Sequence, residues 1–387
     1  MPLFLQAGDY KYHNYHWEEN RALIALTPAE ENEPAILMKY LQVHEYIYRE
    51  NDVDLELYST VHKIIRVNND DGVQAHNKIF IPMSDVIEIL AIQARSINKN
   101  GVSMELDQNN IKEITDDEGG SGYKIFAVEG VEVGGEIEYW YTRKLNPTYF
   151  GRNYFQFKIP SKNVDFELIS PENLIFSTKG YCNFPQIIDT TFNGKRYLKA
   201  HSDFIPALQD EEFSYFNPNR MRVEYKLSYN QARGGSRLLT FSDATQRIFN
   251  NIYDLSKEEK KQIEKFYKSI KISSKKNNEE KIRMIENFVK TNFSIQEAYS
   301  RGNGNIVEIL NNKYGSKKEM ARLFAALFKE ADIKHQLVLT TERDDVKFDR
   351  YFDSWNYLVN YIFFFPETDS YLTPEHFEYR YGMIPFH

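Results

Sequence analysis

The chain has 387 residues, 48 Lys and Arg against 56 Asp and Glu for a net charge of -8, 42% hydrophobic content, 27 Tyr, 27 Phe and one cysteine. That length supports two or three domains with filled cores, and the acidic balance gives a nucleic-acid partner no general electrostatic support. A single cysteine excludes an internal disulfide framework and a cysteine-based zinc site; no run approaches the roughly 18 apolar residues that span a bilayer, and a mean hydropathy of -0.58 with so many aromatics points to half-buried β positions.

In chain order, Met1–Ala7 is compatible with the tail of a secretion signal or with an ordinary strand; the basic n-region and long apolar core of a complete signal are missing. His13 and His16 have metal-ligating chemistry but no third ligand at a matching spacing, so no metal or cofactor is expected. From about residue 30 to 245 the sequence reads as β-rich. Strands are expected at Val61–Val67, Ile87–Ala94, Lys124–Val128, Glu136–Arg143, Tyr154–Ile159, Phe166–Ser170, Leu174–Ser177 and Met221–Tyr229. In the fourth of these Ile137, Tyr139 and Tyr141 alternate with Glu138, Trp140 and Thr142, after a Gly134-Gly135 turn. Turn signals about every ten residues predict an antiparallel β-sandwich. Cys182 lacks the helix start that activates a thiol and reads as structural.

A helical zone follows. Ser256-Lys-Glu-Glu259 is a capping box opening a helix to about Ile270, and Ile282, Ile285, Phe288 and Val289 fall at helical spacing within Asn278–Asn292. The lysines of Ser256–Lys281 are mixed with glutamate and read as a solvated face. A Gly302-Asn303-Gly304 turn precedes a short helix at Ile306–Asn311. Ser316 and Glu319 then form another capping box, so a helix starts at Lys317, and Met320, Leu323, Phe324, Leu327 and Phe328 form its core stripe. A thiol at such a helix start would be activated. Here the position holds lysine, which the same dipole opposes; drift and a charge facing a ligand are both open. Strands at Leu337–Thr341, Leu358–Phe364 and near Tyr371 complete an α+β core.

The segment Gly315–Ile333 resembles the nucleophile helix of bacterial transglutaminase-like domains, of the form G-D-C-K-D-K-A followed by a leucine-rich helix. Gly315, Lys318 and Ala321 match, Ser316 replaces the aspartate, and Lys317 stands at the nucleophile position. The family's histidine falls in Phe352–Leu358, placing Trp355 or Asn356 there, and its aspartate turn reads Tyr371-Leu-Thr-Pro374, with Thr373 in the aspartate's place. Acyl transfer by this constellation needs a thiolate, a histidine and an orienting carboxylate. The resemblance therefore implies a papain-like α+β core whose triad is lost.

Ala94–Val102, Ile111-Lys112, Phe126-Ala127, Gly130-Val-Glu132 and Gly135–Tyr139 resemble the domain of unknown function that precedes such cores in Gram-negative envelope proteins. Together the resemblances divide the chain into a β-sandwich domain at 1–245, matched mainly over 40–240, and a transglutaminase-like core at 246–387. They imply a periplasmic or outer-membrane-associated protein. They also imply a further β domain after such cores, so the chain is expected to be a short member or a fragment.

The function expected is a non-catalytic binding or scaffolding module of the envelope, with Lys317, Trp355, Tyr357 and Tyr371 lining a cleft for a peptide or glycan. Two alternatives remain: an active transglutaminase or cysteine-type peptidase using Cys182 with His201 or His335, and a structural domain docking an envelope protein.

Overall fold

A strand covered on both faces has no need to alternate apolar and polar residues. Ala35–Tyr48 (β1) is such a strand, buried along nearly its whole length in the middle of an eight-stranded sheet. The other members are Leu55–Val67 (β2), Val86–Ile97 (β3), Ser103–Glu105 (β4), Glu136–Leu145 (β5), Ser161–Pro171 (β6), Ile188–Phe192 (β7) and Lys195–Ile205 (β8). Their order is β7-β8-β6-β1-β2-β5-β3-β4. Pairing is antiparallel except between β1 and β6, which run parallel with Leu37 opposite Ser161 and Glu45 opposite Ile169; the expectation of a wholly antiparallel sandwich is corrected at this pair.

The structure is a computed structural model that describes residues 10–49, 54–114, 122–296 and 304–385. Met1–Ala7 and the first two residues of the Gly302–Gly304 turn lie outside the described residues. The chain divides into two units, Met1–Arg237 and Leu238–His387. A boundary at 245 would cut the first helix of the second unit, described below.

In the first unit a three-stranded sheet, ordered Leu174–Tyr181, Arg222–Asn230, Phe150–Tyr154, packs on the large one. Aromatic pairs form this interface: Tyr46 on Phe176 at 4.7 Å and His44 on Tyr225 at 5.2 Å between ring centroids. Gly151 is required there, because a Cβ would fall 2.3 Å from the Tyr225 hydroxyl. The strand expected at Tyr154–Ile159 instead lies at Phe150–Tyr154. Beyond it the chain leaves the ladder: Phe155 is fully buried, and Arg220 donates from Nε to the Gln156 carbonyl.

The opposite face of the large sheet carries buried charges, which residues 10–33 cover. Glu138 bonds His62 at 3.0 Å, Arg95 and Arg21, while Glu136 bonds Arg21 and Arg66. Burial pushes the Glu138 carboxyl up, but His62, Arg21 and Arg95 outweigh that and hold it at about 2. Tyr15 meets His62 Nδ1 at 2.6 Å, and Arg95 donates to the Glu18 and Glu19 carbonyls. Buried ions tolerate such a position only when paired.

The second unit is built around one helix. Phe241–Tyr253 (α1), Lys257–Ile270 (α2), Asn278–Asn292 (α3) and Ile306–Asn312 (α4) precede Lys317–Glu330 (α5). Met320, Leu323, Phe324, Leu327 and Phe328 are all fully buried, as the spacing predicts. Ala321 and Ala325 are buried too, so α5 is enclosed on more than its stripe. Its sheet partner is Gln336–Thr340 (β9), Asn360–Phe365 (β10) and Ser370–Leu372 (β11), antiparallel in that order. Phe328 meets Phe363 at 5.2 Å and Phe365 at 5.1 Å, both near edge-on. Arg322 joins the helices, donating to the Asn251 and Asp254 carbonyls and to Glu259.

Candidate functional site

Both arms of the capping box at the start of α5 are formed. Ser316 Oγ accepts the Glu319 amide at 3.3 Å, and Glu319 Oε2 accepts the Ser316 amide at 2.8 Å. This fixes Lys317 as the first helical residue. Its side chain is 39% exposed, so it reaches solvent, and its Nζ lies 3.8 Å from Glu342. The helix dipole opposes a cation there; Glu342 offsets it.

Strand register fixes which sequence-expected residues share an end of the sheet. β9 and β10 pair Thr340 with Asn360, so the C-terminal end of β9 and the N-terminal end of β10 form one pole. β10 and β11 pair Phe363 with Leu372, and the chain beyond runs back to that pole, where Glu375 Oε1 accepts the Tyr361 amide at 3.0 Å. Glu342, just past β9, brings the Lys317 end of α5 to it. The turn Trp355–Tyr357, just before β10, belongs to the same pole. Lys317, Trp355, Asn356 and Thr373 are thus brought to one end of the core.

Their environments differ. Trp355 is half-buried, donating from Nε1 to the Thr240 carbonyl at 3.1 Å, with the Arg247 guanidinium 5.3 Å from its ring centroid. Asn356 is half-buried, its amide donating to Ser354 Oγ. Tyr357 is fully buried against Phe348, so its expected place on a cleft surface is corrected: the 3-10 turn points it into the core. Tyr371 is half-buried on Phe364 at 4.9 Å, and its pairing with Phe364, across from Gln336, puts it at the other end of the sheet, so its expected place in a cleft with Lys317 is corrected. Thr373 is 1% exposed, and its Oγ1 is buried without a hydrogen-bond partner. Sequence reasoning passed over three polar residues buried in this region, Ser354, Asn360 and Glu375. The available signal was Glu375, two positions beyond the Thr373 turn.

The remaining candidates lie elsewhere. Cys182, the sole cysteine, is exposed in the first unit with a positive φ of 56°; its sulfur meets the Pro218 carbonyl and the Arg222 guanidinium. Neither histidine proposed to pair with it makes that contact. His201 spans Asp165 at 2.8 Å and Asp203 at 3.1 Å, and these bonds raise its pKa. His335 belongs to the opposite pole of the second unit: its Nδ1 meets the Ile333 carbonyl, its Nε2 is buried without a partner, and burial lowers its pKa. His16 Nδ1 donates to the Asn14 carbonyl at 2.9 Å, and His13 lies on the short helix Lys11–Asn14.

Residues 54–202 match the family described as a domain of unknown function with a solved structure, DUF3857. Residues 266–369 match the transglutaminase-like superfamily. The chain is similar to a crystal structure of a candidate protease from Parabacteroides distasonis, with 15% identity and a TM-score of 0.68 over 88% of this chain and 67% of that one. At that identity the likeness shows the fold alone. An M1 zinc metallopeptidase from Deinococcus radiodurans aligns at 9% identity over 50% of this chain and 42% of its own, with a TM-score of 0.29 that carries no argument. No curated protein matches the chain. With an α+β fold, a β-rich first unit and a helix-centred second one, the chain joins a DUF3857 domain to a core of the transglutaminase-like superfamily.

Proposed function

We propose that this chain is a non-catalytic member of the transglutaminase-like superfamily that works as a binding or scaffolding module of the cell envelope. The observation that carries this reading is chemical. The second unit contains no cysteine, and the position matching the family's nucleophile holds Lys317. A lysine at a helix start supplies no thiolate for acyl transfer. What the pole offers instead is a solvent-reaching cation, the half-buried ring of Trp355, and hydrogen-bonding groups. Such a set suits a peptide or glycan, which presents carbonyl or hydroxyl oxygens to a lysine and an apolar face to aromatic rings. The envelope location rests on the resemblance of both domains to envelope proteins.

The test is binding of the purified chain to peptide and glycan arrays, followed by titration of any retained probe. The expected result is a probe whose affinity falls at least tenfold in both Lys317→Ala and Trp355→Ala, with melting temperature unchanged in Lys317→Ala. Absence of any retained probe, or binding indifferent to both substitutions, would overturn the reading and favour a purely structural domain.

A further inference from the structure

The opposite pole of the second unit carries a feature that the Lys317 reading does not use. β9 is the edge strand of its sheet, bonded on one side to β10. Beside it a groove of about 520 Å³ runs between β9 and α1. Ile248, Phe249 and Tyr253 of α1 form one wall; Leu337 and Leu339 of β9 form the other. Phe249 is 54% exposed, an aromatic ring held at the surface. An edge strand presents unpaired backbone groups to any chain that can lie along it.

Charge narrows the occupant. Lys329 and Lys334 line this groove with Asp332, and Lys329 also lines the adjoining hollow with Lys257, Lys260 and Lys261. None of these five lysines has an acidic partner among the described residues, whereas Glu264 of α2, which lines the same hollow, pairs with Lys268. Against these five stand Asp332, Glu330 and the already paired Glu264, so the patch is cationic on a chain whose net charge is -8. The groove is apolar at its floor and cationic at its rim.

We infer that β9 and the groove beside it take an extended acidic peptide rich in β-branched residues, which adds as a fourth strand to the sheet. Main-chain bonds to β9 supply affinity, alternate apolar side chains enter between α1 and β9, and the remaining acidic side chains face the lysines. This site is independent of the Lys317 pole, so either can fail without the other.

The test uses the full chain and a fluorescein-labelled peptide of alternating Val and Glu, read by fluorescence anisotropy. Phe249→Glu, at an exposed position, is expected to weaken binding at least tenfold. Lys334→Glu is expected to weaken it about threefold to tenfold at low salt and less at high salt, while Lys317→Ala leaves it unchanged. Two further peptides carry backbone N-methyl groups on one or the other alternate set of residues. Strand addition predicts that one set abolishes binding and the other is tolerated. Tolerance of both, absence of binding at millimolar peptide, or dimerisation lost in Phe249→Glu without peptide binding would overturn the inference, the last in favour of a second copy of the chain.

Discussion

The two ends of α5 make a useful comparison, because one helix serves both. At its start the backbone amides are satisfied by a reciprocal capping box, Lys317 reaches solvent beside Glu342, and the surrounding turn and strand ends bury polar side chains. At its end His335 stacks on Tyr253, Phe328 and His335 both meet Phe363 edge-on, and the surface opens into an apolar groove. The first end carries the residues that match the family's nucleophile segment; the second carries an edge strand. The difference teaches that the packing lives in the middle of the helix, while the groups at its polar end take little part in it.

That claim is most strongly challenged in the middle. Phe324 is fully buried and meets Phe328 and Phe363. Phe324→Ala should cost about 3–5 kcal/mol through lost burial and the cavity left behind, measured by denaturant unfolding. A loss below about 1 kcal/mol would show that the two ends are not held through a shared core.

The start of the helix is sharpened by Ser316→Ala, which removes the acceptor of the Glu319 amide. The expected loss is about 1 kcal/mol. Restoration by Ser316→Asp, the residue the family pattern places there, would assign that loss to the cap.

The far end has a pH signature. Burial lowers the His335 pKa, so the unfolded chain binds this proton more readily than the folded one. Its contribution to stability is complete above the unfolded value, about 6.5, and is lost as pH falls from there towards the lower folded value. His44, in the first unit, is held at about 4 by burial and adds a loss of the same sign. The informative quantity is therefore the difference between wild type and His335→Leu. Wild type should weaken relative to the variant between pH 8 and pH 5, and a difference independent of pH would refute the assignment.

The smallest effect belongs to Lys317→Ala. An exposed pair at 3.8 Å contributes little, and removing a cation that the dipole opposes returns part of it. Stability should stay within about 0.5 kcal/mol.

Much of the second unit was legible because its helix starts are chemical. Ser256-Lys-Glu-Glu259 fixes α2 from Lys257 to Ile270, Asn278–Asn292 is a helix over those residues, and Ser316 with Glu319 fixes Lys317. Thr240 and Asp243 form a capping box of the same kind, yet α1 went unread because aspartate stands where glutamate is the usual partner. In the first unit, β5 announced itself by alternation, whereas β1 did not, since Gln42, His44 and Glu45 are buried along with its apolar residues. The parallel pairing of β1 with β6 has no local signature at all.

The site was legible as a pole rather than as contacts. Matching the family motif put Lys317, Trp355, Asn356 and Thr373 at the same end of the core, where strand register also brings them. Side-chain direction was another matter. Tyr357 follows Trp355 and Asn356 in one short turn, and its burial against Phe348 depends on how that turn meets the sheet, which no spacing encodes. The groove beside β9 was invisible for a related reason: it joins residues of α1 and β9 that lie far apart in the chain.

The central claim is that this transglutaminase-like core acts without thiol chemistry. Its most direct test is incubation of the full chain with a labelled amine and a glutamine peptide, with and without an alkylating agent, beside Cys182→Ser. The account predicts no incorporation or hydrolysis above the uncatalysed rate in any arm. Turnover that alkylation or Cys182→Ser abolishes would contradict it.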